Sequence, residues 1–141
     1  MHKVQSILNS FKSALLPLIS DGIVKTVQGN NAQSPEAHPA LVIRMGAEQV
    51  QARNLSNFTN NSVLVDVDIY VHSKTLDLDE QLLAVREEVE KAIQADVLLG
   101  LPFVLNTQFE GQESPEHQGD AELYAASLRL NFTVQYRTQI G

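Results

Sequence analysis

The sequence predicts an α+β domain: a four- to five-stranded, mainly antiparallel or mixed sheet with two main helices packed on one face. Three observations lead there. From Leu123 to Tyr136 the chain alternates strictly, with Tyr124, Ala126, Leu128, Leu130, Phe132, Val134 and Tyr136 on one side and mostly polar residues on the other. That period of two marks a long strand with one buried face. Val63, Val65, Val67, Ile69 and Val71 repeat the pattern within Ser62–His72. Two other stretches carry apolar residues at three- and four-residue spacing, the mark of amphipathic helices. The order is helix, strand, strand, helix, strand, strand, with no internal repeat and no linker. The 141 residues form one domain, 1–141.

Val4, Ile7, Leu8, Phe11 and Leu15 make one stripe of a helix over residues 3–16, which Pro17 ends or kinks. A short strand is expected at Ile23–Val27. Gln28–Pro39, polar and rich in Gly, Asn and Pro, reads as a long exposed loop. Ala40–Met45 is a strand bounded by Pro39 and Gly46. Gly46 suggests a bulge, after which the strand resumes through Ala47–Ala52. The asparagine-rich stretch Arg53–Asn61 reads as a second loop. Asp77 or Asp79 is placed to cap a helix over Glu80–Ala95, with Leu82, Val85, Val89, Ala92 and Ile93 toward the core. Leu98, Leu99 and Leu101 follow as a buried tail stopped by Gly100 and Pro102, then a strand at Phe103–Phe109. Glu110–Asp120, acidic and rich in Gly, Ser and Pro, reads as a third exposed loop before the final strand.

Composition narrows the function. Apolar residues make up 43% of the chain, enough for a core, and charged residues only 19%. Ten basic and seventeen acidic residues give a formal charge of −7. Stable phosphate-backbone binding needs clustered Lys and Arg, and no such cluster is present. With no cysteine, disulfides, thiolate metal sites and cysteine nucleophiles are excluded. No apolar run is long enough for a membrane span. The opening Met1-His2-Lys3-Val4 makes a poor signal peptide. The sequons at Asn54, Asn57 and Asn131 are therefore taken as chance, and a cytosolic, soluble product is expected.

No constellation carries a catalytic fingerprint. His2, His38, His72 and His117 are scattered, without metal-ligand spacing. Glycines are isolated, so there is no phosphate loop, and no Gly-x-Ser-x-Gly elbow occurs. Catalytic residues, metals and cofactors are expected to be none. Asp66 and Asp68 share the polar face of one strand, flanked by Leu64 and Tyr70. Two carboxylates there suit acid–base work or a cation, but a solvated face or suppression of edge pairing explains them as well. Asp77, Asp79 and Glu80 are expected to serve the helix start. Arg44, Arg129 and Arg137 lie in or beside strands, where a charge needs a partner. Arg44, Asp66, Asp68, Tyr70, Arg129 and Arg137 are the candidates for a subunit contact, with a neighbour's arginine pairing the aspartates.

The segments Pro39–Glu48 (PALVIRMGAE) and Leu128–Thr138 (LRLNFTVQYRT), with an N-terminal amphipathic helix and an Asp-rich start to a long helix between them, carry a resemblance. The chain resembles the tail-terminator family of lambda-type long-tailed phages, the minor tail protein U-like proteins, over most of its length. The resemblance implies a non-enzymatic structural protein of the virion tail, made in the host cytoplasm. Such proteins form a homo-hexameric ring that caps the tail tube, ends its polymerisation and offers its other surface to the head-completion protein. Their partners are other copies, the tail tube protein and the head-completion protein. DNA only passes through the pore, and a negative subunit is compatible with that passage. Two alternatives stay open: another head–tail joining or tail-completion protein, and a small-ligand-binding domain or enzyme using Asp66, Asp68 and His72.

Overall fold

The computed structural model describes residues 2–29, 35, 37–53, 58–73, 77–119 and 124–139. Among them run α1 (Lys3–Leu15), α2 (Pro17–Ser20), β1 (Thr26–Gln28), β2 (Ala40–Arg53), β3 (Phe58–Ser73), α3 (Leu78–Gln94), β4 (Val104–Gln112), β5 (Glu116–Gly119) and β6 (Tyr124–Gln139). The fold is α+β with a mixed sheet, as expected. Expected loop positions 30–34, 36 and 54–57, with Asn54 and Asn57, lie outside the described residues, as do Asp120 and Leu123.

The sheet order is β1-β2-β3-β6-β4, with β5 pairing β6 past the end of β4. β1 runs parallel to β2, and every other pairing is antiparallel. β3 and β6 form the spine and stay in register from Phe58↔Gln139 to Ser73↔Tyr124. The alternating valines explain this: Val63, Val65, Val67, Ile69 and Val71 are fully buried, opposite Val134, Phe132, Leu130, Leu128 and Ala126. A register slip of one residue would turn this whole row to water.

α1 and α3 lie on that apolar face. α1 buries Val4, Ile7, Phe11 and Leu15, and α3 buries Leu78, Leu82, Val85, Val89 and Ile93. A helix of α1's length is marginal alone in water. Burying each large apolar side chain of its stripe is worth roughly 1.5–3 kcal/mol, so docking rather than propensity holds it. Phe11 meets Phe132 edge-on at 5.6 Å, joining helix to sheet. The ring of His2 caps the helix by accepting from the Val4 N–H at 3.0 Å.

Several expectations needed correction. Pro17 ends α1 as expected, but the chain then forms a further short helix, α2, with Pro17 in its first turn, where its missing N–H costs nothing. Phe58–Asn61 belong to β3, because pairing with β6 overrides the low strand propensity of asparagine. Glu116–Gly119 form β5 inside the expected third loop, since β6 runs beyond β4 and offers those residues an open edge. The sheet thus has six strands rather than four or five. Asp77 occupies the N-cap position of α3 without a side-chain capping bond. In the expected buried tail, Leu99 is buried but Leu98 is exposed and Leu101 only partly covered. The bulge does occur: the β2–β3 register shifts between Met45 and Glu48, and a Cβ on Gly46 would stand 2.7 Å from the Leu64 Cβ.

Candidate functional site

The sheet face away from the helices carries the charged cluster. Val42, Arg44, Asp66, Asp68, Tyr70, Ser127, Arg129 and Asn131 share it by strand alternation and register. Arg44 Nε donates to Asp68 Oδ2 at 2.6 Å. From the opposite side Arg129 donates through Nε to Oδ1 at 2.7 Å and through Nη2 to Oδ2 at 3.0 Å. Arg44 Nη2 also donates to the Tyr70 hydroxyl at 3.2 Å. Three adjacent strands thus place two guanidiniums around one buried carboxylate, whose side chain is 5% exposed.

The electrostatics follow. Burial alone would lower the Arg44 guanidinium, but its hydrogen bonds to Asp68 and Tyr70 outweigh that and raise it. Arg129 is raised by its hydrogen bonds to Asp68, against a smaller desolvation effect. Both stay cationic at any accessible pH. Desolvation raises the neighbouring Asp66 carboxyl, with Arg129 opposing. Asn131, its amide turned to suit the acceptors around it, donates to Asp66 Oδ1 at 2.8 Å and to Glu113 Oε2 at 3.2 Å.

Five of the six expected contact residues therefore come together, and Arg137 does not. It lies toward the far end of β6, its guanidinium 5.0 Å from the centre of the Phe58 ring. The arginines on Asp68 come from its own chain, where a neighbour's had been expected. Sequence reasoning missed Asn131 and Glu113. Asn131 has the strand parity of Arg129 and was legible in principle; Glu113 is brought in by the β4–β5 connection, where its N–H donates to the Arg129 carbonyl at 2.9 Å.

Two concavities adjoin the cluster. One of about 140 Å³ is lined by Asp68, Tyr70, Glu113, Glu116, Ser127 and Arg129 among others. A wider one of about 400 Å³ lies between His38, Tyr70, His72, Glu116, Gln118 and Ser127. The His38 and His72 rings stack at 3.5 Å on its wall. Asp66 lines neither, so Asp66, Asp68 and His72 do not converge on one cavity. Both Asp68 carboxylate oxygens are occupied by guanidinium hydrogen bonds, so neither is presented to a bound molecule. No group of three or more His, Asp or Glu placed to hold a metal occurs among the described residues, nor is any described helix long and apolar enough to cross a membrane.

A third concavity, about 340 Å³, opens on the helix-bearing side where the sheet projects past the start of α1. His2, Lys3, Glu48, Val50, Asn61 and Tyr136 line it. The buried Tyr136 hydroxyl donates to a Glu48 carboxylate oxygen. Desolvation, then this bond, pushes the phenol far above its ordinary range.

No family model matches the chain, and no curated protein does. Among solved structures, it is similar to a chain of the virion of a native gene transfer agent (GTA) particle. The likeness has a TM-score of 0.57 at 10% identity and covers 98% of this chain and 100% of that one. At that identity the two share a fold.

Proposed function

We propose that this chain is a structural subunit of a phage-like particle, and specifically a tail terminator. In this reading six copies close into a ring that caps the tail tube, stops its growth and presents its other surface to the head-completion protein, with DNA passing through the pore. The observation that carries the proposal is the full-length fold likeness to a chain of a gene transfer agent virion. The surface chemistry supports it. The carboxylate best placed on the polar face is locked between arginines, which suits a rigid contact surface better than proton transfer. The expected contact residues Arg44, Asp66, Asp68, Tyr70, Arg129 and Arg137 remain proposed contacts, with Arg44, Tyr70 and Arg129 the groups that a neighbour would meet.

The mass of the purified protein in solution, with and without tail tubes, tests the ring. A discrete hexamer, alone or on tubes, is expected; a strict monomer that ignores tubes refutes it. Electron microscopy of particles lacking the protein separates the two structural readings. Overlong tails indicate a terminator, and normal tails that fail to join heads indicate a joining protein.

A further inference from the structure

The geometry points to a contact within the ring additional to those proposed for the polar face: the outer edge of β2 over Ile43–Val50 pairs antiparallel with the outer edge of β4 of the next copy. This rests on the ring reading above. Among the described residues, β1 covers only Ala40–Val42 of the β2 edge, and no strand covers the outer edge of β4. Monomeric proteins blunt such edges with Lys or Pro, with other charges, with bulges or by covering them. Ile43–Val50 and Val104–Gln112 contain neither Lys nor Pro. Arg44, Glu48, Glu110 and the bulges protect parts of these two edges, and the regular runs between the bulges stay open. Apolar side chains stand exposed beside both edges: Met45 at 59%, Val50 at 69% and Leu105 at 40%.

Direction and height both fit. β2 and β6 run the same way, each antiparallel to β3, and β4 runs against β6. β4 is therefore antiparallel to β2. Following the register across the sheet, Ile43 lies level with Val67, Leu130 and Gln112, and Val50 lies level with Asn61, Tyr136 and Val104. The two exposed edges thus span the same height on opposite sides of the sheet. Rotation about an axis along the strands keeps strand direction and adds no shift along that axis. It therefore brings the neighbour's β4 alongside Ile43–Val50, antiparallel and level, as a heterologous ring contact requires. Bulges in both strands interrupt the ladder, but Glu48–Val50 and Asn106–Phe109 are regular runs.

Gln49 and Asn106 lie level on one face, through Ser62 and Gln135. The test is the double variant Gln49→Cys/Asn106→Cys in this cysteine-free chain. Within one subunit the two positions are three strand spacings apart, roughly 14 Å, too far for a disulfide. Across paired edges their Cα atoms would stand about 4.5–5.5 Å apart. Mild oxidation should give a non-reducing ladder up to the hexamer, while each single variant gives at most a dimer. Hydrogen exchange of the unmodified protein supplies a second readout: amides in 43–50 and 104–112 should slow by about tenfold or more on assembly. A hexamer with neither ladder nor slowing overturns the edge pairing and leaves the ring intact. A subunit that stays monomeric with and without tubes overturns the ring, and the pairing with it.

Discussion

Replacing Asp68 with alanine removes the acceptor of three charge-assisted hydrogen bonds, at 2.6, 2.7 and 3.0 Å. Breaking a fully buried ion pair costs about 3–5 kcal/mol, because the abandoned charge cannot reach water. Here the Arg44 and Arg129 side chains are 24% and 40% exposed, so both recover hydration in part. Exposed pairs are worth about 0.2–1 kcal/mol each. The expected loss lies between these limits, at about 2–3 kcal/mol. For a domain of this size that lowers Tm by roughly 6–12 °C. Thermal and urea melts should be run at low protein concentration, so that assembly does not add to stability. Asp68→Asn keeps the shape and should lose less. Pairing Asp68→Ala with Arg129→Ala should show losses well short of additive, since both remove the same bonds. A Tm within about 2 °C of the parent would falsify the claim that this triad holds three strands together. Asp68→Arg would put a third guanidinium between two others and should prevent folding. It is therefore a poor probe of assembly, whereas Arg137→Glu, on an exposed side chain, leaves the fold intact and tests that contact cleanly.

Other outcomes follow from the same geometry. Gly46→Ala should cost about 1–3 kcal/mol through overpacking, measured by urea denaturation. Because the new methyl would strike the Leu64 Cβ at 2.7 Å and its carbonyl oxygen at 3.1 Å, Leu64→Ala should not rescue it; rescue by that variant would contradict the assigned clash. Desolvation places the folded-state Asp66 carboxyl above its unfolded value of 3.8. The folded state thus holds that proton more tightly, and Asp66's contribution to stability falls as pH rises from the unfolded value through the folded one. Asp66→Asn should therefore be neutral or stabilising at pH 7 and flatten the stability profile across the mildly acidic range; clear destabilisation at pH 7 would reverse the sign argued here.

The parts of this fold legible in the sequence are those set by local periodicity. β3 and β6 announce themselves because one face of each is almost wholly Val, Leu, Ile and aromatic. Gly46 gave away the bulge because a side chain there would have nowhere to go. What local pattern could not reveal was pairing at a distance. Asn60 and Asn61 are poor strand formers that β6 recruits, and Glu116–Gly119 become a strand only because β6 is longer than β4. The charged cluster divides the same way. Strand parity put Arg44, Asp66, Asp68, Tyr70 and Arg129 on a polar face. That β6 lies beside β3, bringing Arg129 to a carboxylate 61 positions away, depends on topology.

The spine also has a mechanical consequence. β3 and β6 pair along their entire 16-residue lengths, with hydrogen bonds perpendicular to the strands. A force pulling along the strand axis loads these bonds together in shear, so no single bond can yield first and start an unzipping. The molecule is stiffest along its strands and weakest to peeling at its margins, where β1 and β5 are held by only a few pairs.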